Sequence, residues 1–444
     1  MEPAAGSYLG VWKMDARNMG TGRVVASLLV LGSGAAAHAH AGLPETSNVT
    51  VRRGHPEDFF VGATFGAVIS RDSGQTWRWV CPDAMGYGGW RPESFLWREA
   101  GDIIAATGSA LLRSPDGGCS WNMHPYFKSN WVTALAAHPT DDRILYAVTG
   151  RTGLANGVYR SGDGGETWEP TPLLRLGLKL NAVRVSPVDP RRIYASGEEA
   201  GRLLIFRSDD AGETWEKSAP PLPQLLRPYD LAVTAVDPAS ADGVWVRVAT
   251  QGYTHLLRSD DGGRTLTQVH VLDDVFINME LSADGGTAWV GTANSLFRGP
   301  RAGPLEQQPL PTGNACVLRT GNTLYACGST WLHDWALARS LDEGTTWKPL
   351  FSLHGIQGTH HCPAGTPVRT LCPARWPTVA EQLGAEQYPD GGIQEPPPPP
   401  EPPPEPSTPS KSEGCGATSG SLAPGLVLLS TLTLWRRGRR RSDA

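Results

Sequence analysis

One eight-residue phrase recurs along this chain and constrains its fold more than any other feature. Ser70-Arg-Asp-Ser-Gly-Gln-Thr-Trp77 returns as Ser114-Pro-Asp-Gly-Gly-Cys-Ser-Trp121, Ser161-Gly-Asp-Gly-Gly-Glu-Thr-Trp168 and Ser208-Asp-Asp-Ala-Gly-Glu-Thr-Trp215. Two further copies follow, Ser259-Asp-Asp-Gly-Gly-Arg-Thr-Leu266 and Ser340-Leu-Asp-Glu-Gly-Thr-Thr-Trp347. The first five copies start 44, 47, 47 and 51 residues apart, and the last gap of 81 is about two periods. A period in the forties marks stacked copies of one supersecondary unit. Where the missing copy is due, between Phe297 and Glu306, the preceding Phe297-Arg298 and one glycine survive while serine, aspartate and tryptophan are lost. The count is therefore seven units, the sixth with a decayed turn.

Each unit has one internal order. A β-rich run ends in a Pro/Asp turn, as in Val183-Arg-Val-Ser-Pro-Val-Asp-Pro190. A second run follows (Ile193-Tyr-Ala-Ser196), a third enters the box (Leu203-Leu-Ile-Phe-Arg207), and a fourth leaves it from Trp215. Short β-branched and aromatic runs between Gly/Pro/Asp clusters are strand signals, and no long helical periodicity competes. Four strands per unit, repeated radially, describe a β-propeller blade. In the box, Asp and Ser can bond nearby backbone N–H groups and Gly supplies positive φ. Asp72, Asp116, Asp163, Asp210, Asp261 and Asp342 are accordingly expected as turn braces, not as acids. The arginines before the boxes, such as Arg113, Arg207 and Arg258, belong to the same structural frame. Ser282-Ala-Asp-Gly-Gly-Thr-Ala-Trp289 nearly fits the phrase but falls between the first and second strands of unit six, so it is read as coincidence.

The six boxes resemble the Asp-box (BNR) repeats of sialidase-like and sortilin-like propellers, Gly157-Val-Tyr-Arg-Ser-Gly-Asp-Gly-Gly-Glu-Thr-Trp168 most closely. Similar repeats occur in photosystem II assembly-factor propellers and xyloglucan-active glycosidases. The resemblance, spanning about residues 47 to 353, implies an all-β fold: a seven-bladed β-propeller of four-stranded blades with the boxes between third and fourth strands. It implies no one chemistry, because these families share the turn and not the activity.

The two ends point to export. Arg23 and the apolar run Val24 to Ala37, followed by Ala39 and Ala41, read as a signal peptide over 1–41, with Met14 or Met19 as alternative starts. The propeller is expected over 42–353 and a cysteine-containing extension over 354–394. A Pro/Glu-rich linker over 395–413 favours an extended spacer. Residues 414–444 hold Gly414-Cys415-Gly416, the apolar stretch Ser421 to Trp435, and Arg436, Arg437, Arg439, Arg440 and Arg441. That order resembles the myxobacterial C-terminal sorting signal (MYXO-CTERM). The resemblance implies cleavage near Cys415 by a sorting protease, lipid on Cys415, and display at the cell surface or outer membrane. The alternative is a short transmembrane tail anchor in the inner membrane, facing the periplasm.

Seven cysteines suit an oxidising compartment. The expected disulfides are Cys81 with Cys119 between adjacent blades, Cys316 with Cys327 on neighbouring strands, and Cys362 with Cys372 closing a loop after the propeller. Spacing alone does not fix such connectivity. Zinc on His360, His361, Cys362 and Cys372 lacks a Cys-x-x-Cys or His-x3-His spacing, so neither metal nor cofactor is expected. A net charge of −5 carries no nucleic-acid footprint.

Sialidase chemistry, as the resemblance frames it, needs an arginine triad, a Tyr/Glu nucleophile pair and an early Arg-Ile-Pro. The nearest match is Arg192-Ile-Tyr194, mid-chain in a second strand, so that activity is disfavoured. Another glycosidase would need two carboxylates about 5 to 10 Å apart. Asp230 and Glu280, on the inner-strand entries of adjacent units, are the one pair to test, although such acids are commonly just braced. The remaining entries, Trp90, Trp131, Asn181, Tyr229, Asn278 and Asn314, form a rim suited to stacking on a sugar or holding a peptide. The expectation is a secreted, surface-anchored, noncatalytic binding or scaffold module for glycan or protein. The alternatives are an extracellular glycoside hydrolase and an envelope assembly factor.

Overall fold

The chain builds seven four-stranded antiparallel sheets, each from four consecutive strands in simple meander order. The structure is a computed structural model and describes residues 44–86, 94–222, 227–310 and 315–385. The expected leader over 1–41 with Met14 and Met19, the expected rim residues Trp90 and Asn314, the expected linker over 395–413, Cys415 and the arginines over 436–441 lie outside the described residues. The sheets are arranged as a seven-bladed β-propeller, as the repeat predicts. Blade one runs from Thr46–Arg52 to Arg78–Val80, and blade seven from Val317–Thr320 to Lys348–Phe351. The strands within each blade are largely apolar, and their buried faces pack on the next blade to form one belt of core clusters.

The boxes work as braces, and the geometry repeats. In blade three the Ser161 hydroxyl donates to Asp163 at 2.8 Å and accepts from Gly165 N–H at 2.7 Å. Asp163 also accepts from the Thr167 amide and hydroxyl at 2.9 and 2.5 Å, and Trp168 Nε1 donates to the Gly165 carbonyl at 3.2 Å. Asp72, Asp210, Asp261 and Asp342 accept the same Thr pair, and Asp116 accepts from the Ser120 amide at 2.8 Å. The fourth and fifth box positions both take positive φ, for example 79° and 86° at Gly164 and Gly165. For that reason Gly fills the fifth position in all six boxes. In the decayed turn of blade six, Arg301 reaches instead to the buried carboxylate of Asp237 at 3.2 Å. The near-match at Ser282 does join the first and second strands of that blade, and its Trp289 donates to Glu343 of blade seven at 3.2 Å.

No strand is exchanged between first and last blades among the described residues. Closure comes from contacts and from the extension. Thr46 donates to the Gly328 carbonyl at 3.3 Å, Phe59 meets Tyr325 edge-on at 5.2 Å, and Trp77 stacks on Phe351 at 4.3 Å. Beyond blade seven the chain runs parallel to the outer strand of blade one, pairing Thr359 with Trp79. Trp79 N–H donates to Gly358 at 2.8 Å and His360 N–H to Trp79 at 2.7 Å. Two short helices follow, Pro367–Leu371 and Trp376–Leu383, and the second buries Trp376 against Trp79 at 5.9 Å.

This path corrects two of the three expected disulfides. Cys81 bonds Cys372 and Cys119 bonds Cys362, with Cα atoms 5.3 and 5.4 Å apart; Cys316 bonds Cys327 as expected. The expectation paired Cys81 with Cys119 and Cys362 with Cys372. It failed because the extension lies back over blades one and two, and nothing in the spacing reveals that return. The bridges therefore clasp the extension to blades one and two. No helix among the described residues is long and apolar enough to cross a membrane; the apolar stretch Ser421 to Trp435 lies outside them.

Candidate functional site

The first strands of the blades line the axis, and there the chain leaves a cavity of about 560 Å³. Its walls include Thr133, Asn181, Arg184, Thr234, Asn278, Glu280 and Arg319 from inner strands, with Arg247 from the second strand of blade five. Register shifts break the regular alternation in four of these inner strands, between Val132 and Ala134, Leu180 and Ala182, Val233 and Ala235, and Phe276 and Asn278. An extra residue at such a bulge re-aims its neighbours, which is how polar side chains reach the axis from strands otherwise packed on both faces.

Among the described residues, three guanidinium groups face this space against one carboxylate. Arg184 Nε donates to the Thr234 carbonyl at 2.9 Å and Nη1 to the Val183 carbonyl at 2.8 Å. Burial pulls its pKa down, the Glu280 charge opposes this, and Arg247 adds to it. Arg319 makes no side-chain hydrogen bond or salt bridge among the described residues and leaves its guanidinium available to the cavity. Glu280 accepts from the Arg319 backbone N–H, yet burial outweighs that bond and the charges of Arg184 and Arg319 and pushes its pKa up to about 7. Glu280 retains partial solvent contact because it borders the cavity.

Asp230 does not join Glu280 there. Its carboxylate pairs with Arg247 at 2.6 Å and accepts from Asn181 Nδ2 at 2.6 Å, and it is absent from the cavity wall. Asp230 is the first residue of its inner strand and Glu280 the fifth of the next. At the ordinary rise that is a depth difference of roughly 13 Å. The two carboxylates that the sequence singles out are thus not assembled as a free pair over one space.

The rim residues divide by role. Asn181 also donates to the Leu231 carbonyl at 2.8 Å and accepts from Ser196 at 3.0 Å. Asn278 donates to the Val317 carbonyl at 2.7 Å and accepts from the Val317 amide at 2.8 Å. Both therefore tie one inner strand to the next blade. Trp131 and Tyr229 are open, with 44% and 67% of their surface exposed, and Arg151 lies 5.9 Å over the Trp131 ring. Tyr229 borders a second groove of about 450 Å³ between blades five and six, with Tyr253, Asp273, Val275, Phe276 and Arg247. Arg247 and Phe276 are common to the groove and the axial cavity.

Sequence reasoning missed Arg184, Arg247, Arg319 and Tyr253. The available signal was an arginine inside an otherwise apolar strand, as in Val183-Arg-Val185 and Val246-Arg-Val248. Such a residue is expensive to bury and so marks a wet or paired position. At the clasp, Cys119, His360 and Cys362 bring their ligand atoms within 4.8 Å, but both sulfurs are joined to each other. Cys372, the other sulfur of the expected zinc alternative, is bonded to Cys81. Burial, with the Arg71 charge adding to it, pushes His360 down to about 3 and keeps its ring neutral.

No family model and no curated protein matches this chain. Solved structures do resemble it. An ancestral GH74 enzyme is 17% identical with a TM-score of 0.46, over 62% of this chain and 40% of the enzyme. YCF48 from Cyanidioschyzon merolae is 14% identical with a TM-score of 0.43, over 64% of this chain and 92% of that one. A Mycobacterium tuberculosis puromycin-hydrolyzing peptidase is 13% identical with a TM-score of 0.47, over 69% and 53%. This chain thus spans well under half of the GH74 enzyme, and the likeness concerns the propeller fold alone.

Proposed function

We propose that the protein is an exported, surface-anchored propeller that binds a glycan or protein ligand at the axial cavity without cleaving it. The observation that carries the reading is the state of the two carboxylates. Asp230 is held by Arg247 and Asn181, which leaves Glu280 as the one acid on the cavity wall among the described residues. Hydrolysis by a carboxylate pair needs both groups free at one scissile bond, whereas binding needs only the open donors of Arg319 in the cavity and the exposed rings of Tyr229 and Tyr253 in the groove that shares Arg247 and Phe276 with it. Three disulfides, a leader-like start and a tail of Gly-Cys, apolar stretch and arginine cluster support export and display. In this reading a sorting protease cleaves near Cys415, and lipid at Cys415 provides the membrane attachment.

Residues 42–394, purified in oxidised form, should retain members of a glycan and peptidoglycan array and release no fragments. Retention by no glycan and no envelope protein would overturn the binding reading. Cys415→Ala should leave the arginine tail on the membrane-bound protein; surface protein that keeps that tail in the wild type excludes cleavage. A glycoside hydrolase is the second reading, because Glu280 near 7 is tuned as a proton donor. It requires sugar release that disappears in Glu280→Gln.

A further inference from the structure

The side-chain cluster richest in unused chemistry lies away from the axis, where the C-terminal extension meets blade two. Cys119 occupies the sixth box position, filled elsewhere by Gln75, Glu166, Glu213, Arg264 and Thr345. Cys362 arrives from the extension and His360 sits beside it. The two Sγ atoms and a ring nitrogen of His360 lie within 4.8 Å of one another, and no other such cluster occurs among the described residues. Cys119 and His360 also line a cavity of about 630 Å³, with Arg71, Arg78, Asp116 and His361. By contrast, the cysteines of the other two bridges are at most 1% exposed and have no imidazole grouped with them.

We propose that opening the Cys119–Cys362 bond by a dithiol converts this junction into a zinc site with Cys119, Cys362 and His360 as its protein ligands. The dithiol gives up two electrons and two protons and becomes a disulfide. The Cys119–Cys362 bond breaks, and each sulfur takes one proton. Zinc then displaces both thiol protons to solvent and forms two Zn–S bonds and one Zn–N bond, and water from the cavity fills the fourth position. Bond lengths of about 2.3 Å to sulfur and 2.0 Å to nitrogen place tetrahedral donors roughly 3.5 Å apart. That spacing falls within the 4.8 Å span of the cluster. Two thiolates and an imidazole favour zinc over calcium or magnesium, which prefer oxygen. The extension remains tied to blade two in both states, by a disulfide in one and by the metal in the other.

The test uses the full chain, reduced anaerobically with dithiothreitol, freed of reductant and titrated with zinc chloride. Bound metal is counted by chelator colorimetry, and its ligands are read by X-ray absorption. The reduced protein should hold one zinc on two sulfurs and one imidazole, and the oxidised protein none. His360→Ala should weaken binding at least tenfold, the low end of what even an outer-shell change costs. Replacing Cys316 and Cys327 together with serine should leave zinc binding unchanged. Any of four results would overturn the proposal: no zinc in the reduced chain, equal affinity in His360→Ala, coordination by four sulfurs, or loss of the strand circular dichroism on reduction.

Discussion

Removing the clasp disulfides one at a time and then together should give losses that exceed their sum. Cys81–Cys372 spans 291 residues, and Cys119–Cys362, spanning 243, is nested inside it. While either bridge stands, the other closes an effective loop of only about 48 residues, worth about 4 kcal/mol in loop entropy. Once one is gone, the survivor closes the long loop alone and is worth about 5.5 kcal/mol. Each paired replacement, Cys81→Ser with Cys372→Ser or Cys119→Ser with Cys362→Ser, should therefore cost about 4 kcal/mol, and all four changes between 9 and 10, roughly. With unfolding entropy scaled to the folded residues 44–385 and not to the whole chain, these losses lower Tm by about 6 °C and 13 °C. The assay is guanidinium unfolding followed by tryptophan fluorescence, with free thiols checked by alkylation. A quadruple variant that loses no more than the two pairs added together would refute the nested-loop argument. Near-zero loss in both pairs would show that the extension docks without needing its bridges.

Asp163→Ala removes the acceptor of three hydrogen bonds in one box and should cost about 1 to 3 kcal/mol in thermal unfolding, while ligand retention stays intact. In Asp163 and Asp261 burial opposes ionisation, but the Thr and Ser bonds outweigh it and hold both at about 2; in Asp342 the Thr346 bonds lead to the same value. A depressed folded pKa means that this stability is complete above the unfolded value near 4. It is lost as pH falls toward about 2, so the denaturant midpoint should drop across that window. Glu280 has the opposite sign. With its folded pKa raised to about 7, the native state binds more protons than the unfolded chain below that pH, and stability falls as pH rises toward neutrality. Glu280→Gln should abolish this decline, as read in denaturant midpoints from pH 5 to pH 8, roughly. Ala211 stands at φ 60° where three other boxes carry Gly; Ala211→Gly should gain about 0.5 to 1 kcal/mol, the relief of left-handed strain less the entropy added to the unfolded chain.

The sequence reveals most of the scaffold and little of the site, for a physical reason. A box is a local device: Ser161, Asp163, Gly165, Thr167 and Trp168 satisfy one another within eight residues, so spacing alone exposes their roles. Blade count and the decayed turn of blade six follow from phasing those boxes. The cavity is built by residues far apart in the chain. Asn181 looks like a free rim amide until blade five brings Asp230 and Leu231 against it. Asp230 looks like a catalytic partner until Arg247 arrives from the neighbouring strand. The clasp is hidden in the same way, since Cys372 meets Cys81 across 291 residues with no local pattern to announce it.

The most direct test is one array of polysaccharides, peptidoglycan fragments and envelope peptides, probed with residues 42–394 and scored for retention and cleavage together. The wild type and Glu280→Gln should both retain ligand without releasing fragments, and Arg319→Ala should lose retention at least tenfold, about 1.4 kcal/mol. Cleavage products that form with the wild type and vanish in Glu280→Gln would contradict the account.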